Sequence, residues 1–255
     1  MLDFTLEKYR DLLVALQRAS YAFYTFQEYC EGKAAGKYLL LRHDIDRNPT
    51  NALKISKLEH DLKIKSTFYF KTSSDVFNPE IIKEIENLGH EIGYHYRDLV
   101  DARGNEYIAI EKFKANLCVF QKETSIKIKT ISMDGCPLSK YDNRNLWKTF
   151  NYRDFGIIGE PYFDIDINDV FYLTDTARCW DGGKYSVRDK IESGFTQSFH
   201  KTDDIIEAAR NCSLPDRMMI TTHPQRWTDK PLPWLHELIF QNIKNSIKKM
   251  LVVRQ

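Results

Sequence analysis

The chain has 255 residues and a globular composition, with 42% hydrophobic and 13% aromatic residues. Its 37 basic and 36 acidic side chains give a net charge of +1, so no net field would gather nucleic acid or an anionic bilayer. The N-terminus lacks the cationic start and apolar run of a secretory signal, and no window reaches the roughly 18 apolar residues of a membrane span, so we expect a cytoplasmic protein with neither nucleic-acid partner nor membrane span.

Helical and extended segments alternate along the chain. Apolar residues recur at helical spacing over residues 6–18, and a short β-rich run follows at 21–26. The nearly continuous apolar run over residues 37–43 is typical of a parallel strand that is covered on both faces. The pattern then predicts helices at 49–60, 79–88, 106–122, 203–211 and 234–252, and extended segments at 66–71, 90–96, 127–132, 170–174 and 217–222.

This alternation predicts one α/β domain over residues 1–255, with a parallel sheet of about seven strands that favours a closed or nearly closed β/α barrel. In such barrels the chemistry lies at the C-terminal ends of the strands. The predicted strand ends carry Asp44, Asp46, His95, Asp134, Asp175 and His223. Because buried carboxylates and imidazoles are costly unless they are paired or bind a metal, we expect a functional site there.

Asp44 and Asp46 are two residues apart, so on an extended chain both side chains point to the same face. Two adjacent carboxylates favour a bound cation, and a divalent ion on one of them keeps the other ionised as a proton acceptor. The alternative is a D-x-D loop that only caps the helix beginning at Pro49.

Three motifs carry a specific resemblance. LRHDID with the helix that follows it, then STFYF, then GHEIGYH stand in this order and at these separations. Over roughly residues 20–225 the chain resembles the polysaccharide deacetylase family, the NodB-like carbohydrate esterases. The resemblance implies a distorted (β/α)7 barrel in which a divalent metal, usually zinc, activates water against an N-acetyl or O-acetyl group on a sugar.

The resemblance also implies roles for single residues. It makes Asp44 the catalytic base and His223 the general acid, and it makes Asp46 and His95 metal ligands. It places Asp175, as a further catalytic residue, in the family's aspartate-to-tryptophan motif, which ends here at Trp180.

The chain departs from the family pattern at one metal ligand. The family has a second metal histidine four residues after the first, where this chain has Leu99. Asp98 is the nearest substitute, although it could instead pair with Arg97 or Arg103, and His43 is a further candidate. The arginine-proline-tyrosine segment that orients the base in the family is not evident either. These differences place the chain in the divergent HDxD-type branch.

Two features predict substrate contacts. The polar loop over residues 132–147 contains Asp134 and Asn143. This loop either recognises the substrate or only forms a turn before the next helix. Trp180 and Trp227 could stack on a sugar ring, with core packing as the alternative.

Together these features predict a metal-dependent deacetylase, with zinc as the expected ion, that acts on an acetylated sugar or polysaccharide precursor in surface polysaccharide metabolism. The alternatives are a catalytically inactive barrel that binds a glycan or nucleotide-sugar, and another metal-dependent hydrolase acting on a different amide. If the metal site exists, the carboxylate of Asp46 and the imidazole of His95 should approach within roughly 3 to 4 Å.

Overall fold

The structure, a computed structural model, describes residues 2–136, 139–181 and 194–252. A parallel sheet of seven strands forms its centre. The strands are β1 Ala22–Tyr24, β2 Tyr38–Ile45, β3 Thr67–Phe70, β4 Glu91–Tyr96, β5 Ile131–Met133, β6 Phe171–Thr174 and β7 Arg217–Thr222. Their order is β5-β4-β3-β2-β7-β6, and β1 pairs with the first half of β2.

The helices alternate with these strands. They are α1 Leu6–Arg18, α2 Phe26–Cys30, α3 Pro49–Asp61, α4 Pro79–Asn87, α5 Asp98–Asp101, α6 Glu106–Thr124, α7 Pro161–Asp164, α8 Thr202–Arg210 and α9 Pro231–Val252. Short 3-10 turns lie at Asn143–Lys148, Tyr152–Phe155, Thr176–Arg178 and Pro224–Arg226. Within the described ranges, no helix combines the length and apolar character needed to cross a membrane.

The prediction of an α/β fold with a distorted seven-stranded parallel barrel is confirmed. In the described residues no strand ladder joins β5 to β6, so the barrel is open on that side. Three short helices, α2, α5 and α7, were not predicted; α2 forms because the Thr25 side chain and Glu28 cap its first turn reciprocally. The predicted extended segment at 127–132 is also shorter in the structure, where β5 begins at Ile131. The assignment to one domain stays a prediction.

The inner face of strand β2 changes from apolar to polar residues toward the C-terminal end of the strand. All eight of its residues are buried, and successive side chains point to opposite faces. Leu39 and Leu41 belong to the large core that includes residues of the helices. Leu40 points the other way, into a smaller apolar cluster inside the barrel. The next residues on this inner face are Arg42 and Asp44, so polarity begins near the C-terminal end of the strand.

Gly93, within the GHEIGYH motif, has a steric role in the same region. It lies beside Tyr69 in the β3–β4 ladder, and a Cβ atom at this position would lie 2.3 Å from the Tyr69 ring. The Tyr69 ring in turn lies under the Arg42 guanidinium, 5.4 Å from its centroid. Gly93 therefore makes room for the aromatic ring that supports Arg42.

Candidate active site

A cavity of about 640 Å³ opens at the C-terminal ends of the strands. Its lining includes Asp44 and Asp46 at the end of β2, His95 near the end of β4, Asp134 after β5 and His223 after β7. The structure thus brings together five residues that the sequence singled out at the ends of four strands.

Asp46, His95 and Asp134 form a group of three potential metal donors. One donor atom from each lies within 4.8 Å of the others. His95 Nε2 is 3.8 Å from Asp46 Oδ1, as the sequence led us to expect. His95 Nδ1 lies 3.0 Å from the backbone oxygen of Ser132. Because a carbonyl only accepts, Nδ1 carries the hydrogen, and in the neutral ring Nε2 keeps its lone pair facing the carboxylates.

Lys71, directly after β3, bridges the two carboxylates of this group. Its Nζ lies 2.8 Å from Asp46 Oδ1 and 2.8 Å from Asp134 Oδ2, and the Lys71 side chain is 11% exposed. Burial works against the charge of Lys71, but the two carboxylates raise its pKa above the usual value. Burial likewise disfavours the charge on Asp46 and Asp134, yet Lys71 lowers the pKa of both. All three groups are therefore charged.

Asp44 is fixed by an arginine on its own strand. Arg42 Nε donates to Asp44 Oδ1 at 2.8 Å and Nη2 donates to Oδ2 at 2.7 Å. The same Nη2 also donates to the Ser132 hydroxyl. Burial favours the neutral carboxyl, but Arg42, together with His95, lowers the pKa of Asp44 below its usual value. The carboxylate is therefore ionised and held in a bidentate orientation.

His223 is oriented by Asp175, which lies buried behind it. Asp175 Oδ1 is 2.6 Å from His223 Nδ1, and Oδ2 accepts from the His223 backbone nitrogen at 3.0 Å. Arg226 Nη1 donates one hydrogen bond to the backbone oxygen of Asp175 and one to Asp175 Oδ1. These two bonds use both hydrogens of Nη1. Nη1 also lies 2.7 Å from His223 Nδ1, because both nitrogens share the acceptor Oδ1. The hydrogen between Asp175 and His223 therefore belongs to Nδ1.

This arrangement turns the other ring nitrogen of His223 toward the cavity. Nε2 lies 3.9 Å from Asp46 Oδ2. Burial opposes ionisation of Asp175, but Arg226 and His223 lower its pKa to about 2. A permanent negative charge thus lies behind the imidazole ring and accepts a hydrogen bond from its Nδ1.

The structure contradicts the assignment of Asp98 as a metal ligand. Asp98 begins α5, and its carboxylate accepts from the Tyr94 hydroxyl at 2.9 Å and from Asn116 Nδ2 at 2.7 Å. Burial raises its pKa to about 6. Because the chain turns into a helix at this residue, the carboxylate packs with these partners away from the cavity. Asp134, and not Asp98, supplies the third donor beside Asp46 and His95.

Asn143 also has a different place from the predicted one. Its Nδ2 donates to the backbone oxygen of Asp134 at 2.8 Å, and its Oδ1 accepts from the Val100 backbone nitrogen at 3.1 Å. The side chain is fully buried. Asn143 therefore holds the backbone of the loop after β5 and does not face a substrate. Asp134, predicted as a substrate contact, lies in the donor group instead.

Neither predicted stacking tryptophan is exposed to the cavity. Trp180 is 5% exposed, and its Nε1 donates to the Thr202 hydroxyl at 2.9 Å. Trp227 is fully buried, and its Nε1 donates to Asp175 Oδ2 at 2.8 Å. Core packing, the alternative interpretation, is the one that the structure supports.

The further candidate ligand, His43, lies in the core, and so does Leu99, which stands at the vacant ligand position. His43 is fully buried on the outer face of β2, where its Nε2 is 2.8 Å from Glu59 Oε1 and its Nδ1 is 2.7 Å from Thr222 Oγ1. Leu99 is 4% exposed and packs in the hydrophobic core.

Sequence reasoning missed Lys71 and Arg42 as functional residues. Lys71 is the last residue of a predicted extended segment, so the strand-end argument applied to it as well. Arg42 is two residues from Asp44, and strand alternation alone places both on one face. The sequence therefore already indicated Lys71 by its position at a strand end and Arg42 by its spacing from Asp44.

Three residues that line the cavity each have a buried polar atom without a hydrogen-bond partner among the described residues. These atoms are Thr221 Oγ1, Gln225 Oε1 and Glu237 Oε1. Since a buried polar atom without a partner is costly, these atoms favour a ligand that supplies hydrogen-bonding groups.

The donor group fits a divalent ion in its chemistry and spacing. Two carboxylates and an imidazole nitrogen are ligands that zinc takes in catalytic sites, where a further position stays open for water or substrate. The ammonium of Lys71 contacts the same two carboxylates, so it competes with such an ion for them.

No family model and no curated protein matches the chain. Solved structures do match. They include the deacetylase PplD of Streptococcus pyogenes in complex with acetate, at 15% identity and a TM-score of 0.47 over 58% of this chain and 70% of that chain. The peptidoglycan deacetylase PdaC of Bacillus subtilis matches at 16% identity and a TM-score of 0.41, over 84% of this chain and 97% of that one.

A third match is BA3943 of Bacillus anthracis, a CE4 family pseudoenzyme, at 12% identity and a TM-score of 0.42 over 83% of this chain and 61% of that chain. Two of these proteins are described as deacetylases and the third as a pseudoenzyme of the CE4 family, which is the group that the three sequence motifs resemble. TM-scores below 0.5 do not carry an activity over to this chain.

Proposed function

We propose that this chain is a metal-dependent deacetylase that removes an acetyl group from an N-acetylated or O-acetylated sugar. One observation carries the proposal: a single cavity combines an ionised aspartate, three metal donors and a histidine oriented by a buried carboxylate. Hydrolysis of an acetyl group needs a proton acceptor, an electrophilic centre and a proton donor, and each of these groups can supply one of them.

Asp46, His95 and Asp134 are the residues that would hold the divalent ion. When bound there, the ion polarises the acetyl carbonyl and lowers the pKa of water. His95 is prepared for this role because its other nitrogen is engaged with the backbone of Ser132.

Asp44 is the proton acceptor for the attacking water. Its lowered pKa keeps it ionised at neutral pH, and the two hydrogen bonds from Arg42 fix the direction of its carboxylate. Each oxygen still has a lone pair that Arg42 does not use, so the carboxylate can accept a proton without leaving this partner.

His223 delivers a proton from Nε2 to the departing nitrogen or oxygen of the sugar. Asp175 prevents rotation of the ring because it holds Nδ1, so Nε2 stays directed toward the cavity.

The cavity wall suits a polyhydroxyl substrate. Its lining includes several neutral hydrogen-bonding side chains, among them Thr174, Thr176 and Gln225. The role in surface polysaccharide metabolism and the cytoplasmic location belong to this proposal.

Acetate release tests the proposal. The purified chain, supplied with zinc, is incubated with N-acetylglucosamine oligomers and with an O-acetylated xylan, and free acetate is measured enzymatically. We expect the wild type to release acetate and Asp44→Asn to release at least about a hundredfold less. Loss of all release on treatment with a chelator, and its recovery with zinc, would support the metal dependence.

The second candidate function is a barrel that only binds a glycan, and the contact of Lys71 with two of the three donors favours it. It predicts sugar binding by the metal-free protein, measured by calorimetry with the same oligomers, without acetate release at any zinc concentration. That pair of results would contradict the deacetylase proposal.

A further inference from the structure

Lys71 occupies the position of a cation within the donor group. Its ammonium contacts Asp46 and Asp134 at the same distance, 2.8 Å, and these carboxylates supply two of the three donors. Only 11% of the Lys71 side chain is exposed, so the contact is made away from bulk water, where ion pairs are screened less.

No other cation of the described residues bridges both carboxylates. Arg97 reaches only Asp134, at 3.5 Å, and its side chain is 39% exposed. His223 approaches only Asp46, at 3.9 Å. Lys71 is therefore the one cation of the described residues that forms an ion pair with both carboxylates.

An ammonium and a divalent ion repel each other when they contact the same two carboxylates. The carboxylates carry two negative charges, of which Lys71 already balances one. The lysine side chain is a flexible four-carbon chain, so its ammonium can leave the pair without movement of strand β3.

We propose that Lys71 is the resident cation of this site and that a divalent ion binds by displacing it from Asp46 and Asp134. The inference rests on the donor group of the proposed function. Its consequence is weak, readily reversible metal binding: the free energy of metal binding is reduced by the loss of the two Lys71 contacts. Metal occupancy then depends on the concentration of the ion, and Lys71 raises the concentration at which half of the sites are filled.

Metal affinity tests this role directly. Zinc binding to the metal-free protein is measured by competition with a graded chelator for wild type, Lys71→Met and Lys71→Arg. Lys71→Met removes the charge at similar side-chain length, so its affinity should rise by tenfold or more, on the scale of changes near metal ligands. Lys71→Arg keeps the charge, and its affinity should stay near that of the wild type.

Lys244, which also lines the cavity, supplies the matched control. Lys244→Met removes the charge of an exposed lysine on α9, and we expect less than about a twofold change in zinc affinity, because exposed charges are screened. An equal gain in Lys244→Met would show a general field effect and would overturn the specific role of Lys71.

Thermal melting gives a second measurement. Without metal, Lys71→Met should melt below the wild type, since its two carboxylates lose their counter-ion, and zinc should raise its Tm more than that of the wild type. Lys71→Gln serves as a second neutral variant if Lys71→Met does not fold.

Two further outcomes overturn the inference: zinc affinity of the neutral variants equal to or below that of the wild type, or a gain in Lys71→Arg as large as in Lys71→Met. The first would leave the deacetylase proposal intact if the wild type releases acetate. Conversely, a tenfold gain without acetate release from any substrate would support the role of Lys71 and contradict the proposed function.

Discussion

Asp175 holds His223 at two points. It accepts hydrogen bonds from the imidazole Nδ1 at 2.6 Å and from the His223 backbone nitrogen at 3.0 Å. The backbone nitrogen of Asp175 donates in turn to the backbone oxygen of Thr221 at 3.1 Å. The histidine is therefore anchored to the ends of both β6 and β7, and its Nε2 has a fixed direction.

The first prediction follows from this anchor. Asp175→Asn places a neutral amide against His223 and leaves the buried Arg226 without a charged partner. We expect kcat for acetate release to fall by about 10² to 10⁴, the range for loss of acid–base catalysis. Steady-state kinetics measure it, with Asp181→Asn as control, because Asp181 pairs with His200 at the surface. An unchanged kcat in Asp175→Asn would exclude His223 as the proton donor.

The second prediction concerns acid stability. The folded-state pKa of Asp175 is about 2, below the ordinary value of an aspartate, so its stabilising effect is complete above about pH 4 and is lost as the pH falls through 2. The effect should amount to about 2 kcal/mol. Urea unfolding of wild type and Asp175→Asn measures it: the difference in unfolding free energy should shrink between pH 5 and pH 2. A constant difference would contradict the assignment.

The third prediction separates the two aspartates of the first motif. Asp44→Asn should retain zinc and lose at least about a hundredfold in turnover, because Asp44 contacts Arg42 and is not one of the three donors. Asp46→Ala should lose the metal itself. Metal content after dialysis, measured by atomic absorption, checks both. Equal metal loss in both variants would make Asp44 a ligand.

The fourth prediction compares Asp134 with Asp98. Asp134→Ala should lower zinc affinity by tenfold or more. Asp98→Ala should leave zinc affinity unchanged but lower the Tm, because Tyr94 and Asn116 lose their acceptor. Chelator competition and thermal melting separate these effects. Metal loss in Asp98→Ala at an unchanged Tm would restore Asp98 as a ligand.

The fifth prediction concerns Trp180. Trp180→Phe removes the hydrogen bond to Thr202, so we expect the unfolding free energy to drop by about 1 kcal/mol. The KM for acetylated oligomers should not change, since the ring lies in the core. A rise in KM with unchanged stability would favour the sugar-stacking interpretation.

The positions of the strand ends were predictable from the sequence. Parallel strands present their C-terminal ends on one edge, so acids and histidines after separate strands converge irrespective of their distance along the chain. Asp46 and His95, 49 positions apart, meet at 3.8 Å for this reason. The apolar run of β2 predicted a strand buried on both faces, and the structure has one.

The direction of single side chains after a strand was not predictable. Asp98 and Asp134 both follow strands, but α5 turns the first away from the cavity, while the loop held by Asn143 directs the second into it. Trp227 is buried by residues distant in sequence, including Phe4 and Tyr9. These outcomes depend on tertiary contacts that local patterns do not contain.

The pairing of Arg42 with Asp44 joins neighbours on one strand. Their relative geometry is set mainly by the pleat of β2, which has ladders with both β3 and β7, while the Ser132 hydroxyl and the Tyr69 ring support Arg42 from other strands. The three potential metal donors, by contrast, come from three strand ends that must be brought into register. A local distortion of the loop after β5 would therefore disturb the donor group more than the Arg42–Asp44 pair. The proposed base and its arginine partner lie within a single tripeptide, Arg42-His43-Asp44.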